Sequence, residues 1–193
     1  EPGLDAIVSY MRKLPRAHKP GEKWNYNTGE TNLVGLLVSS ATGRTLSDYL
    51  DEKIWKPAGM EAKGTWLLGK TGQEIAGCCI QAATRDYARM GLFVLANGNA
   101  GGKQIVPTDW FAQAIVKQMP IPFAGRGYGF QWWTYDDGAV AARGIFGQGI
   151  FIDPKRKLVI ASNANWTRAS LGPEPAAREA FYRQVQALID DGG

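Results

Sequence analysis

The apolar residues of this 193-residue chain change their spacing after Gly125, and that change limits the folds open to it. Before Gly125 they recur at three- and four-residue intervals, the period of a helix face. Leu4, Ile7, Val8, Met11 and Leu14 form one stripe that Pro15 stops; residues 31–42 form a second, ended by Gly43; residues 47–55 form a third, ended before Pro57. Residues 60–76 carry little periodicity. A fourth helix is expected from Thr84, a capping residue type with Asp86 close behind it, to Asn97 and Gly98, and a fifth from Pro107 or Thr108 to about Met119. Beyond Gly125 the segments 128–135, 139–152 and 158–165 are rich in aromatic and β-branched residues. They are separated by Asp136-Asp137-Gly138 and by Asp153-Pro154, so three antiparallel strands are expected. Ala177, Phe181, Val185, Leu188 and Ile189 define one face of a closing helix that can cover them.

The fold class is therefore α+β, with a helical lobe over residues 1–126 and antiparallel strands plus a C-terminal helix over residues 127–193. Three strands and one helix make a thin sheet with unpaired edges. The expectation is a partial domain, whose remaining strands come from further polypeptide or from a partner.

At 45% hydrophobic residues the chain can bury a sizeable core. Its 22 basic and 18 acidic residues are scattered, and the densest basic stretch, Arg12, Lys13, Arg16, His18 and Lys19, is broken by prolines. A nucleic-acid partner needs a concentrated stripe, so none is expected. No apolar run reaches the roughly 18 residues a spanning helix requires. Cys78 and Cys79 are adjacent, so a bridge between them closes a strained eight-membered ring. They read as two small apolar residues on a buried segment. No metal or cofactor is expected, and the compartment stays open.

Nucleophilic catalysis needs a nucleophile, a proton acceptor and donors for an oxyanion. The chain has no GxSxG elbow, its one histidine is His18, and neither cysteine has a histidine nearby in sequence. Triads built on histidine are disfavoured. The string Trp24-Asn25-Tyr26-Asn27-Thr28-Gly29-Glu30 stands apart, because it sets a polar cluster on the turn that opens an apolar helix.

That string resembles the YxN box of the β-lactamase and penicillin-binding-protein superfamily: class C β-lactamases, D,D-peptidases and related esterases. YNTGE is similar to the esterase and 6-aminohexanoate-dimer hydrolase branch. The resemblance implies that Tyr26 is the catalytic tyrosine, with Thr28 where Asn is usual; a threonine offers a hydroxyl but no amide. It sets Ala142-Arg143-Gly144 at the third box, which reads KTG or HxG in relatives, so Gly144 is retained and the leading cation is gone or moved to Arg143. The N–H of Ile145 then supplies an oxyanion donor. Lys70-Thr71-Gly72 spells KTG literally, but it lies between glycines too soon after Tyr26 and reads as a turn. The likeness continues through the proline-glycine loop before Tyr26, residues 57–60, the helix start at 84–91 and the strands holding Trp132-Trp133 and Gly147-Gln148.

The family's first box, SxxK, supplies the nucleophilic serine and its lysine base, and no such spacing occurs here. Ser9 is followed three residues later by Arg12, which stays charged and cannot act as a base. The nucleophile and lysine are expected upstream, in an N-terminal segment or chain that completes the fold. The implied fold is β-lactamase/transpeptidase-like. The implied activity is acyl transfer from an ester or small amide through an acyl-enzyme, with the chain alone inactive. Trp24, Trp66, Trp132 and Trp133 could line an apolar acyl pocket. Two other classes compete: a non-catalytic penicillin-binding-like module, and an interaction piece such as one half of a nicked enzyme.

Overall fold

The structure, a computed structural model, describes residues 5–192, so Leu4 of the first stripe lies outside the described residues. The chain divides into two compact units, Glu1–Ala83 and Thr84–Gly193.

The first unit holds helices α1 (Ala6–Met11), α2 (Thr28–Thr42) and α3 (Leu46–Leu50), a π-helical turn over Asp51–Trp55, and a ribbon of strands β1 (Thr65–Trp66) and β2 (Ile80–Gln81). Each helix start is capped by a side chain that accepts from an otherwise orphaned N–H. Asp5 takes Ile7 N at 2.9 Å, Asn27 takes Gly29 N at 2.9 Å, and Thr45 takes Asp48 N at 3.1 Å. The Asn27 cap starts α2 three residues before the apolar stripe does. Gly43 ends the helix at φ +65°, the left-handed stop that glycine adopts without a Cβ penalty. Lys70-Thr71-Gly72 is a turn, as expected: Gly72 N donates to Gly69 O at 3.0 Å and the Thr71 hydroxyl to Asp5 at 3.3 Å.

The cysteine pair corrects the expectation. Cys78 and Cys79 are joined in a disulfide, with Cys78 exposed and Cys79 partly so. The backbone at Cys79 holds φ +81°.

The second unit is a six-stranded antiparallel sheet between two helices. Its strands are β5 (Met119–Pro120), β6 (Arg126–Tyr128), β7 (Trp133–Tyr135), β8 (Val140–Arg143), β9 (Gly149–Asp153) and β10 (Leu158–Ser162), in the order β10-β9-β8-β7-β6-β5. Two shorter strands, β3 (Asn99–Ala100) and β4 (Lys103–Gln104), form a separate hairpin. Helix α4 (Thr84–Leu95) packs on β9 and β10, where Gly91 approaches so closely that a Cβ would lie 2.5 Å from a Val159 methyl. Helix α6 (Glu174–Asp190) covers the opposite face, with Tyr182 stacked on Phe151 at 4.4 Å. Sandwiched this way, β9 is buried along its whole length, Gly149–Asp153.

Two expectations change here. The expected strands 128–135 and 139–152 are each two strands, because Gln131 at φ +66° and Gly147 at φ +94° break the extended backbone. The expected fifth helix stops early: α5 spans Trp110–Ala114, and residues beyond it pair with β6, Gln118 N donating to Tyr128 O at 2.9 Å. Helix α4 shares the core of the sheet and belongs to the compact unit that begins at Thr84. The hairpin at Asp136-Asp137-Gly138 and the turn at Asp153-Pro154 stand where the turn residues predicted them, and α4 begins at its expected Thr84.

Candidate active site

The residues singled out by sequence fall on both units, and each set has its own local geometry. On the first unit, Tyr26 is the loop residue just before the Asn27 cap and is 55% exposed. Trp24 packs beside it, ring centroids 6.2 Å apart and tilted by 49°. Thr28 is the first residue of α2 and is exposed. Its carbonyl accepts from Asn32 Nδ2 at 2.9 Å, and Asn32 Oδ1 accepts from Gly77 N at 3.2 Å. A Cβ at Gly77 would lie 2.5 Å from the Thr28 methyl, so only glycine lets this backbone lie against the helix start. Asn32 was not singled out by the motif. Its position four residues after Thr28, on the same helix face, was the available signal.

Trp66 sits elsewhere on this unit. Its indole N–H is shared between Ile75 O and Cys78 O, both at 3.0 Å, and its ring lines a cleft of about 470 Å³ with Leu50, Trp55, Met60 and Ile80. Trp24, Tyr26 and Thr28 do not line that cleft.

On the second unit, Gly144 and Ile145 begin the turn from β8 to β9. Gly144 N donates to Gln148 O at 2.8 Å, and Phe146 N donates to the Gln148 side-chain carbonyl at 3.2 Å. That side chain folds across Gly144, where a Cβ would lie 2.4 Å from its Oε1. Ile145 is 57% exposed and its carbonyl is held by Ser170 N at 2.7 Å. Among the described residues its N–H has no acceptor. A fixed carbonyl and an uncommitted N–H on a turn held from both sides make a main-chain donor that is oriented in advance.

Arg143 does not bring a cation to this turn. Trp133 pairs with Ala141 and Ala141 with Phe151, so by the two-residue alternation Trp133, Phe151 and Arg143 share the face covered by α6. There Arg143 pairs with Glu179, donates to the Tyr135 hydroxyl at 2.5 Å and lies 5.7 Å from the Trp133 ring centroid, while Arg126 reaches Glu179 at 3.2 Å. Burial pushes the Tyr135 phenol up from its ordinary range despite these arginines. Trp133 is thus a packing partner of Arg143 and of Tyr128, whose ring stands edge-on at 5.2 Å. Trp132 is half-buried in the turn before β7, its carbonyl accepting from Gly129 N at 2.8 Å. No cluster of metal-ligating side chains occurs among the described residues, and no described helix is long and apolar enough to cross a membrane.

The Beta-lactamase family matches residues 2–184. The chain belongs to that family. Its β-lactamase fold is closely shared by a solved Bacillus anthracis protein proposed to be a 6-aminohexanoate-dimer hydrolase, with a TM-score of 0.85 and 28% identity over 96% of this chain and 49% of that one. The 6-aminohexanoate-dimer hydrolase of Paenarthrobacter ureafaciens is 25% identical over an aligned stretch of 179 positions that covers 87% of this chain and 44% of that enzyme. Simvastatin synthase of Aspergillus terreus shares the fold alone, at 16% identity and a TM-score of 0.66 over 84% of this chain and 56% of that one. This β-lactamase-family chain spans about half the length of the relatives it matches.

Proposed function

We propose that this chain carries two parts of the active site of a serine hydrolase that acts on esters or small amides through an acyl-enzyme. An N-terminal segment supplies the SxxK serine and lysine. Tyr26 shuttles the proton between that lysine and the leaving group, and the Ile145 N–H binds the oxyanion as the tetrahedral intermediate forms. Water then releases the acyl group. Thr28 orients substrate through its hydroxyl, and Trp24 borders the acyl side. The observation that carries this reading is the pair of presented groups: a half-exposed tyrosine on a capped helix start and an uncommitted main-chain donor on a braced glycine turn. Family membership supports it, and so do the hydrolase names of the relatives.

A non-catalytic binding module is the second reading. The engagement of Arg143 with Glu179 favours it, because the arginine that stands in the third box is committed to α6.

The test joins this chain to its upstream sequence and treats it with a fluorophosphonate probe and p-nitrophenyl acetate. The joined protein is expected to take up one label and turn over the ester, and the 193-residue chain alone to do neither. Tyr26→Phe in the joined protein should lower kcat by roughly 10²- to 10⁴-fold, the range for losing a general acid–base. Absence of label on the joined protein would favour the binding module, and activity unchanged by Tyr26→Phe would remove the role assigned to the phenol.

A further inference from the structure

The Cys78–Cys79 disulfide is wired to the helix start that carries Tyr26 and Thr28. Both carbonyls of the pair are acceptors: Cys78 O takes the Trp66 indole N–H at 3.0 Å and Cys79 O takes Leu67 N at 3.1 Å. Gly77, the residue before the pair, donates to Asn32 and lies against Thr28, 2.8 Å from its carbonyl when a Cβ is built. Asn32 closes the path by donating to that same carbonyl at 2.9 Å. The disulfide ring and the peptide groups on either side of it thus hold Trp66 and Leu67 on one side and, through Gly77, the first turn of α2 on the other.

Cys79 holds φ +81°, a region that residues with a Cβ rarely occupy. A ring closed between adjacent residues fixes the backbone between them. Opening it would free Cys79 to return to negative φ, which would turn its carbonyl away from Leu67 and release the constraint on the segment that begins at Gly77. Cys78 is exposed, so an attacking thiolate can reach the bridge.

We propose that Cys78–Cys79 is a redox-sensitive latch on the first turn of α2. An external dithiol attacks one sulfur, forms a mixed disulfide and displaces the other as a thiolate. The second thiol of the reagent then resolves the mixed disulfide. Two electrons and two protons pass to Cys78 and Cys79, which become thiols, as the dithiol becomes a disulfide. The reverse exchange with an oxidised disulfide relatches the turn. The latch is independent of the catalytic role proposed for Tyr26.

The test uses the 193-residue chain equilibrated in oxidised glutathione or in dithiothreitol. After denaturation and alkylation, intact mass should show no alkyl label in the first state and two in the second. Hydrogen exchange at the Leu67 and Gly77 amides should rise at least roughly tenfold on reduction, while the β9 amides stay unchanged. Two double variants separate the ring from the conformation it holds. Cys78→Ala with Cys79→Gly accepts positive φ without a bridge, so its Leu67 amide should stay protected with or without dithiothreitol. Cys78→Ala with Cys79→Ala should exchange like the reduced wild type in both buffers. Two labels in oxidised glutathione, or equal exchange at Leu67 and Gly77 in the two buffers, would overturn the proposal.

Discussion

Asn27 stands at φ −135° and ψ 104°, outside the helix it caps, and its side chain accepts from Gly29 N. The cap leaves Tyr26 outside the helix one residue earlier, half-exposed beside Trp24. Glu30 in the first turn adds a favourable charge at the positive end of the helix dipole. Asn27→Ala should therefore cost about 1 kcal/mol in a denaturant melt, the usual value of a lost cap. Asp153 is a second decisive residue, 1% exposed at the end of β9. Burial pushes its carboxyl up, but hydrogen bonds from Gln186 at 2.6 Å and Arg156 at 2.7 Å outweigh it and hold the group below its ordinary range. A carboxyl lowered on folding contributes stability above its unfolded value, about 4, and loses it as the pH falls through the folded one. Wild type should therefore exceed Asp153→Asn in stability at pH 7, and the gap should narrow below pH about 4. Urea melts at pH 7 and at pH 3 measure both arms.

Helix α6 is joined to the sheet by polar contacts as well as by the Tyr182–Phe151 stack. Glu179 receives both Arg143 from β8 and Arg126 from β6, with 19% of its side chain exposed. Removing it leaves two largely buried guanidinium groups without their carboxylate, the situation in which breaking an ion pair costs most. Glu179→Ala should lose on the order of 3 kcal/mol, and Glu179→Gln less, because an amide oxygen still accepts. Circular dichroism melts of the two variants separate loss of charge from loss of the hydrogen bond. The same network explains why the third box could not be read from spacing alone. The sequence shows an arginine before Gly144, but strand register assigns it to the α6 face. The divided strands have a similar origin: Gln131 at φ +66° interrupts a run of aromatic residues that reads as one continuous strand.

At the scale of the whole molecule, apolar surface stays uncovered on one helix and at the two sheet edges. On α2, Leu33, Val34 and Leu37 are 36%, 52% and 67% exposed, and the outer strands β10 and β5 each have one neighbour in the sheet. Such surface favours association in water. Leu37→Lys should reduce self-association of the 193-residue chain, measured as a lower weight-average mass by light scattering at equal concentration. An unchanged mass would remove this face as the contact. The sequence by itself determined the α+β class, the end of α2 at Gly43, the hairpin at Gly138 and the family, since all of these rest on local chemistry: turn residues, hydrophobic period and short motifs. Tertiary structure alone decided the bridging of Cys78 to Cys79, the face on which Arg143 lies, the clip from Asn32 to Gly77 and the sharing of α4 with the sheet. Each depends on a backbone angle or a pairing partner far along the chain, and residue order carries neither.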